Sequence, residues 1–312
     1  MELSFLLVQQ IVSMVLMGLA GFVLGRVKLV SVEQSRVLSC VCVYLVVPCC
    51  LITSFSGKRD MEKLMGLALG LVAAILVHIM YLAVNVFLTK GKYALTREEQ
   101  ASVIYNNAGN LIMPMVQSIL GLEYVLYTSP YILVQNFLMW THGQKLMGGA
   151  QKLSMKKILT TPAIASIFVG LLLFATGIQL PYPLRTAMEG LGSCMAPLSM
   201  LVIGIILSEL ELKAVFRQGR IYLVTAVRLI LLPVLSIVIL LALGRLCHIS
   251  DGENILTVSL LCSIGPAASA ITQQAQLFHN PNAGYVSSIN VLTTIACAVT
   301  MPLMTMLFLA LL

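Results

Sequence analysis

Two short stretches break apolar runs that would otherwise each cross a bilayer. They are Asn106-Asn107-Ala108-Gly109-Asn110-Leu111-Ile112-Met113-Pro114 and Ser263-Ile264-Gly265-Pro266-Ala267-Ala268-Ser269. Glycine loosens a helix and proline removes a backbone donor, and the freed polar groups cannot be left facing hydrocarbon. Such a break survives only where protein or a water-filled cavity satisfies it. Pro114 and Pro266 lie 152 residues apart, at matching points in two halves of the chain. A symmetric pair of interrupted spans points to a solute-binding site at the middle of a membrane.

Composition supports that environment. Hydrophobic residues make up 59% of the 312 residues and charged ones 10%, where a soluble domain carries roughly 25% charged residues. Mean hydropathy is +0.97. The formal charge of +7 resides in short loops between apolar runs, which is the pattern of membrane topology and not of nucleic-acid binding. Seven of the eight cysteines lie inside apolar segments, where they act as small hydrophobes, with no metal site and no disulfide framework expected. No basic leader precedes the first apolar run, which reads as a retained helix.

A span needs about 20 mostly apolar residues. On that basis helices are expected near 5–25, 36–55, 64–88, 98–120 and 123–142. After a polar loop at 143–157, further helices are expected near 160–178, 187–208, 219–244, 254–278 and 282–311. The reading is an all-α polytopic protein of ten spans, with the fourth and ninth interrupted. Residues 1–142 form a first five-helix repeat and 158–312 a second. The halves echo one another: Gly25 matches Gly177, Pro48 matches Pro197, His78 matches Arg228 and Asn136 matches Asn290, all at offsets of 149–154. An odd number of spans per repeat makes the second copy inverted. Thirteen of the 19 Lys and Arg fall on one side, among them Arg26, Lys28, Arg36, Lys90, Lys92, Arg97, Lys145, Lys152, Lys156, Lys157, Lys213, Arg217 and Arg220. Lys58, Arg59, Lys63, Arg185 and Arg245 fall on the other, so the 143–157 loop should be cytoplasmic and both termini outside.

The chemistry offered at the breaks is neutral and donor-rich. Asn106, Asn107 and Asn110 bring amides that can hold a carboxylate or a freed backbone group. Gly109 permits unwinding, and Pro114 suits the first turn of a new half-helix whose positive end faces the break. Beyond Gly265 and Pro266, a second half-helix opens at Ser269 and carries Gln273. Arg228 could act as a counter-ion to an anion, or could snorkel to the cytoplasmic surface. His78 could titrate, or simply be a hydrogen-bonded interhelical residue. With no Asp or Glu at either break, the combination suits a small organic anion. Nucleotide-binding and catalytic motifs are absent, so no enzyme activity and no cofactor are expected. Gly18, Gly21 and Gly25 read as a packing face.

The interrupted fourth span with Gly121 after it resembles the auxin efflux carrier family of membrane transport proteins, in its bacterial branch. So do Gln135-Asn136-Phe137-Leu138-Met139-Trp140-Thr141-His142-Gly143, Gly265-Pro266, and Thr293, Thr294 and Pro302. The resemblance implies two inverted repeats whose fourth and ninth helices cross in an X. It also implies a scaffold of helices one, two, six and seven, and a mobile unit of the other six that moves like an elevator. It places the site at Asn107, Asn110, Pro114, Pro266 and their neighbours. It further implies a cell-membrane location, plasma or bacterial inner, and a homodimer through helices two and seven. Members with known substrates move organic anions such as auxin or malonate. Two departures are Asn110, where members carry a small or aromatic residue, and the short central loop. A membrane sensor or regulatory subunit on the same fold is the alternative, and it would bind ligand without flux.

Overall fold

The computed structural model describes residues 2–56, 60–91, 94–148, 159–209, 218–247 and 249–312. Much of the basic set behind the expected orientation lies outside these residues, namely Lys58, Arg59, Lys92, Lys152, Lys156, Lys157, Lys213 and Arg217. So do most of the 143–157 loop and His248.

The described chain is helical, with no strand among the described residues. In chain order the helices are α1 (Glu2–Arg26), α2 (Val32–Phe55), α3 (Met61–Leu88), α4 (Arg97–Ile104), α5 (Met113–Ile119), α6 (Ser129–Leu138), α7 (Pro162–Thr176), α8 (Tyr182–Ser208), α9 (Gly219–Leu246), α10 (Gly252–Ile264), α11 (Ser269–Leu277) and α12 (Ala283–Leu311). Five of them, α2, α3, α8, α9 and α12, are long and apolar enough to cross a membrane. The run expected at 98–120 is α4, a π-turn segment Ala108–Ile112 and α5; that at 254–278 is α10 and α11. The run from 123 opens as a 3-10 helix, Leu122–Thr128, after Gly121, whose φ of 108° only glycine adopts without strain.

Local rules explain the element ends. Ser31 with Gln34, and Thr96 with Glu99, form reciprocal capping boxes at the starts of α2 and α4. Gly177, left-handed at φ 70°, closes α7. Prolines 48, 114 and 233 each follow a five-residue π segment: Cys42–Val46, Ala108–Ile112 and Val227–Leu231. Widening the preceding turn by one residue relieves the clash of the ring with the carbonyl four residues back.

The chain divides into two compact units, each drawn from both halves of the sequence. The first comprises Met1–Met65, Gly109–Ser129 and Leu159–Leu210. Its centre is the pairing of α1 with α8. Gly204 lies against the Gly18 carbonyl, Gly21 against the Leu201 carbonyl, and Gly25 against the Ser208 hydroxyl, with no room for a Cβ. The glycine face expected in α1 is a backbone-to-backbone contact, the route by which helices associate where lipid cancels the hydrophobic drive.

The second unit comprises Gly66–Ala108, Pro130–Ile158 and Glu211–Leu312. One end is tied by two adjacent glutamates in the first turn of α4. Glu99 accepts from Arg220 Nε at 2.5 Å and Nη2 at 2.8 Å, and from the Tyr285 hydroxyl at 2.6 Å. Glu98 accepts from the amides of Asn280 and Asn282 at 3.2 and 3.1 Å. Acidic side chains at a helix start also suit its dipole. This clasp fixes the starts of α4, α9 and α12 around the interior that holds the candidate site.

Candidate substrate site

The site in the second unit begins where two helices stop. α4 ends at Ile104 and Tyr105 is extended, at φ −98° and ψ 131°. α10 ends at Ile264, with Gly265 extended at φ −61° and ψ 162°. The two extended pieces meet as an isolated antiparallel bridge centred on Asn106 and Ala267. Asn107 N–H donates to the Pro266 carbonyl at 2.9 Å, and Ala268 N–H donates to the Tyr105 carbonyl at 3.0 Å. Each break therefore satisfies part of the other, as backbone freed inside a membrane protein requires.

Side chains from flanking helices complete the accounting. The Gln135 amide donates to the Asn106 carbonyl at 2.8 Å, and its oxygen accepts the Asn106 N–H at 3.2 Å. On the other strand of the bridge, Asn290 donates to the Ala267 carbonyl at 2.6 Å, and Thr293 accepts the Ala267 N–H at 3.1 Å. The two brackets are equivalent, one from α6 and one from α12. Asn106 itself is 1% exposed. Its amide donates to the carbonyls of Cys262 at 2.5 Å and Ser263 at 3.3 Å and to the Tyr131 hydroxyl at 2.9 Å, and its oxygen accepts Ala108 N–H.

Arg228 is 0% exposed, in the π segment of α9. Its Nε, Nη1 and Nη2 donate to the carbonyls of Gly265 at 2.9 Å, Val103 at 3.0 Å and Ser263 at 2.6 Å. The Tyr81 ring lies 5.2 Å from the guanidinium carbon, and the Tyr81 hydroxyl donates to the Ser263 carbonyl at 2.6 Å. The positive charge thus sits at the C-terminal, negative ends of α4 and α10. Fully buried with its three nitrogens on backbone carbonyls, the guanidinium does not extend to the protein surface as a snorkelling side chain would. His78, 1% exposed, places Nδ1 2.7 Å from the Ala74 carbonyl and its ring 4.7 Å from that of Tyr131. A carbonyl only accepts, so Nδ1 carries the proton.

What remains open is a small set of neutral groups. The side chains of Asn107, Ser269 and Gln273 are not buried and make no hydrogen bond among the described residues. Ser269 starts α11, whose N-cap residue, Ala268, offers no side-chain acceptor. The first N–H groups of that helix keep their positive character. Asn106, Asn107, Gly265, Pro266, Ser269, Gln273, Arg228 and His78 fall together in the second unit. Gly109, Asn110 and Pro114 fall in the first, where Asn110 is exposed and Pro114 is buried in the first turn of α5. Sequence reasoning missed Gln135, Tyr81 and Tyr131, whose only signal was a polar group in an apolar run.

Five helices long and apolar enough to cross a membrane mark the chain as an integral membrane protein. A sequence profile of the family described as membrane transport protein matches residues 6–154 and again residues 149–305. The chain belongs to this family, that of the auxin efflux carriers, which is a family of transporters and not of enzymes. A search of curated proteins finds no match to it.

Proposed function

We propose that the chain is a secondary carrier that moves a small organic anion across a cell membrane. The carboxylate is held at the start of α11 by the free backbone N–H groups, with Asn107, Ser269 and Gln273 as side-chain donors. The observation that carries this reading is the combination at the bridge of an uncapped helix start, unpaired amide and hydroxyl groups, and a buried Arg228 charge with no carboxylate bonded to any of them among the described residues. Helix starts and unpaired donors favour negative charge, and neutral donors can release it again.

The carrier works by elevator-like alternating access in ten spans arranged as two inverted repeats. The double match of one family profile to two successive stretches supports a repeated chain. The partition into compact units supports a division of labour, since α1, α2, α7 and α8 fall in one and the bridge with its brackets in the other. Purified protein in proteoliposomes should show saturable uptake of a carboxylate from a panel including malonate and an indole carboxylate. Binding without flux would replace the carrier reading by that of a sensor.

A further inference from the structure

The segment Met139–Gly143, which continues α6, winds as a π-helix and carries the sole tryptophan, Trp140, and His142. Single π turns inside helices concentrate at functional sites. His142 is half-buried, and its Nδ1 lies 3.0 Å from the hydroxyl of Tyr105. The same hydroxyl lies 3.0 Å from the Leu138 carbonyl. The Tyr105 ring is seated on Gly143, where a Cβ would come within 2.9 Å of ring carbon Cε2. Tyr105 is also the residue whose carbonyl accepts the bridge hydrogen bond from Ala268. A titratable imidazole is thus one hydrogen bond away from a bridge residue.

The phenol has one proton and two neighbours that can take it. The Leu138 carbonyl accepts only, whereas His142 Nδ1 accepts when its lone pair is free and donates when it is protonated. Neutral His142 in its Nε2–H tautomer therefore competes with Leu138 for the Tyr105 proton. An imidazolium cannot compete: its Nδ1–H donates to the phenol oxygen, and the phenol proton is committed to Leu138. The charged and titratable groups facing the pair are few. Lys145 follows that segment, one turn beyond His142. Tyr105 follows the end of α4, and Glu98, in the first turn of α4, reaches the Met147 carbonyl through Asn280. From α11 the contact is the neutral Gln274, whose amide donates to the Met139 carbonyl.

We infer that His142 is a proton-binding site coupled to the bridge: protonation locks Tyr105 onto α6 and stiffens the Tyr105–Ala268 and Asn107–Pro266 hydrogen bonds. Histidine is the side chain whose charge changes between about pH 5 and 8. The inference does not depend on which solute is carried, and its test needs none. In purified full-length protein, the imidazole ring resonances that disappear in the His142→Gln variant report the charge of His142. Hydrogen exchange at Asn107 and Ala268, corrected for the intrinsic effect of pH, reports the bridge. Wild type should show a titration of those resonances within about pH 5–8. Protection at both amides should rise by about two- to fivefold as pH falls through it, the fold-change of one modest hydrogen bond. His142→Gln, with His142→Asn as a second variant, should lose both responses. Tyr105→Phe should keep the His142 titration and lose the change in protection. A wild-type bridge indifferent to pH, or one whose response survives in either the His142 or the Tyr105 variants, would overturn the assignment.

Discussion

Asn106 and Asn107 are neighbours with opposite duties. The first is spent on carbonyls and a tyrosine inside the unit, and the second keeps its side chain free beside the bridge. Asn106→Ala should therefore lower the thermal midpoint, at a cost of about 1–3 kcal/mol for buried groups left unpaired, with any loss of uptake following from that. Asn107→Ala should leave the midpoint unchanged and weaken carboxylate binding by about 1–3 kcal/mol. The same midpoint shift in both variants would remove Asn107 from the site. Arg228 allows a sharper division. Arg228→Gln leaves carbonyls at two helix ends without donors and should destabilise by about 2–5 kcal/mol; Arg228→Lys, lacking the fork, should recover only part of it. A normal midpoint combined with lost anion affinity would make Arg228 a direct counter-ion instead. At this scale the sequence was legible where polarity stood out against hydrocarbon, as at Asn106 and Arg228. It was misleading in register: constant offset paired Asn136 with Asn290, yet Asn136 bonds within its own helix to Ile132, and Gln135 mirrors Asn290. An offset that drifts by a residue or two cannot decide between adjacent amides.

Elements were legible in approximate position but not in their interior form. Apolar length locates a span. It does not distinguish a continuous helix from one that passes through an extended residue such as Tyr105, because the extended piece is as apolar as the rest. The π segments before prolines 48, 114 and 233 follow a local steric rule and could have been expected from the prolines alone. The glycines of α1 were readable as a packing face, whereas the partner Gly204 and its contact with the Gly18 carbonyl needed the fold. Gly204→Ala has no space for its methyl group, so α1 and α8 must separate, and the thermal midpoint should fall by the equivalent of about 1–3 kcal/mol or more. An unchanged midpoint would mean that the two helices can slide apart freely.

For the whole molecule, the expected division falls at the middle of the chain, whereas each compact unit interleaves segments of both halves. Contact between distant segments is invisible to a reading that moves along the chain. Orientation is testable directly: a single cysteine placed in the 143–157 loop of a cysteine-free variant should label from the cytoplasmic side only, and a tag at Leu312 from outside only. Labelling of both from one side would reject the ten-span arrangement. The bridge also has a consequence for how the protein is made. Asn106 and the Cys262 carbonyl that it caps are separated by 156 residues. At about 5–20 residues per second, the first break waits roughly 8–30 s for its complement to emerge from the ribosome. During that interval Gln135 and Tyr131 are present to serve Asn106, but the Asn107 N–H and the Tyr105 carbonyl, whose partners are Pro266 and Ala268, have only water or an insertion factor. The first half, synthesised alone, should then be retained at the insertion machinery and degraded, and supplying the second half as a separate chain should rescue it.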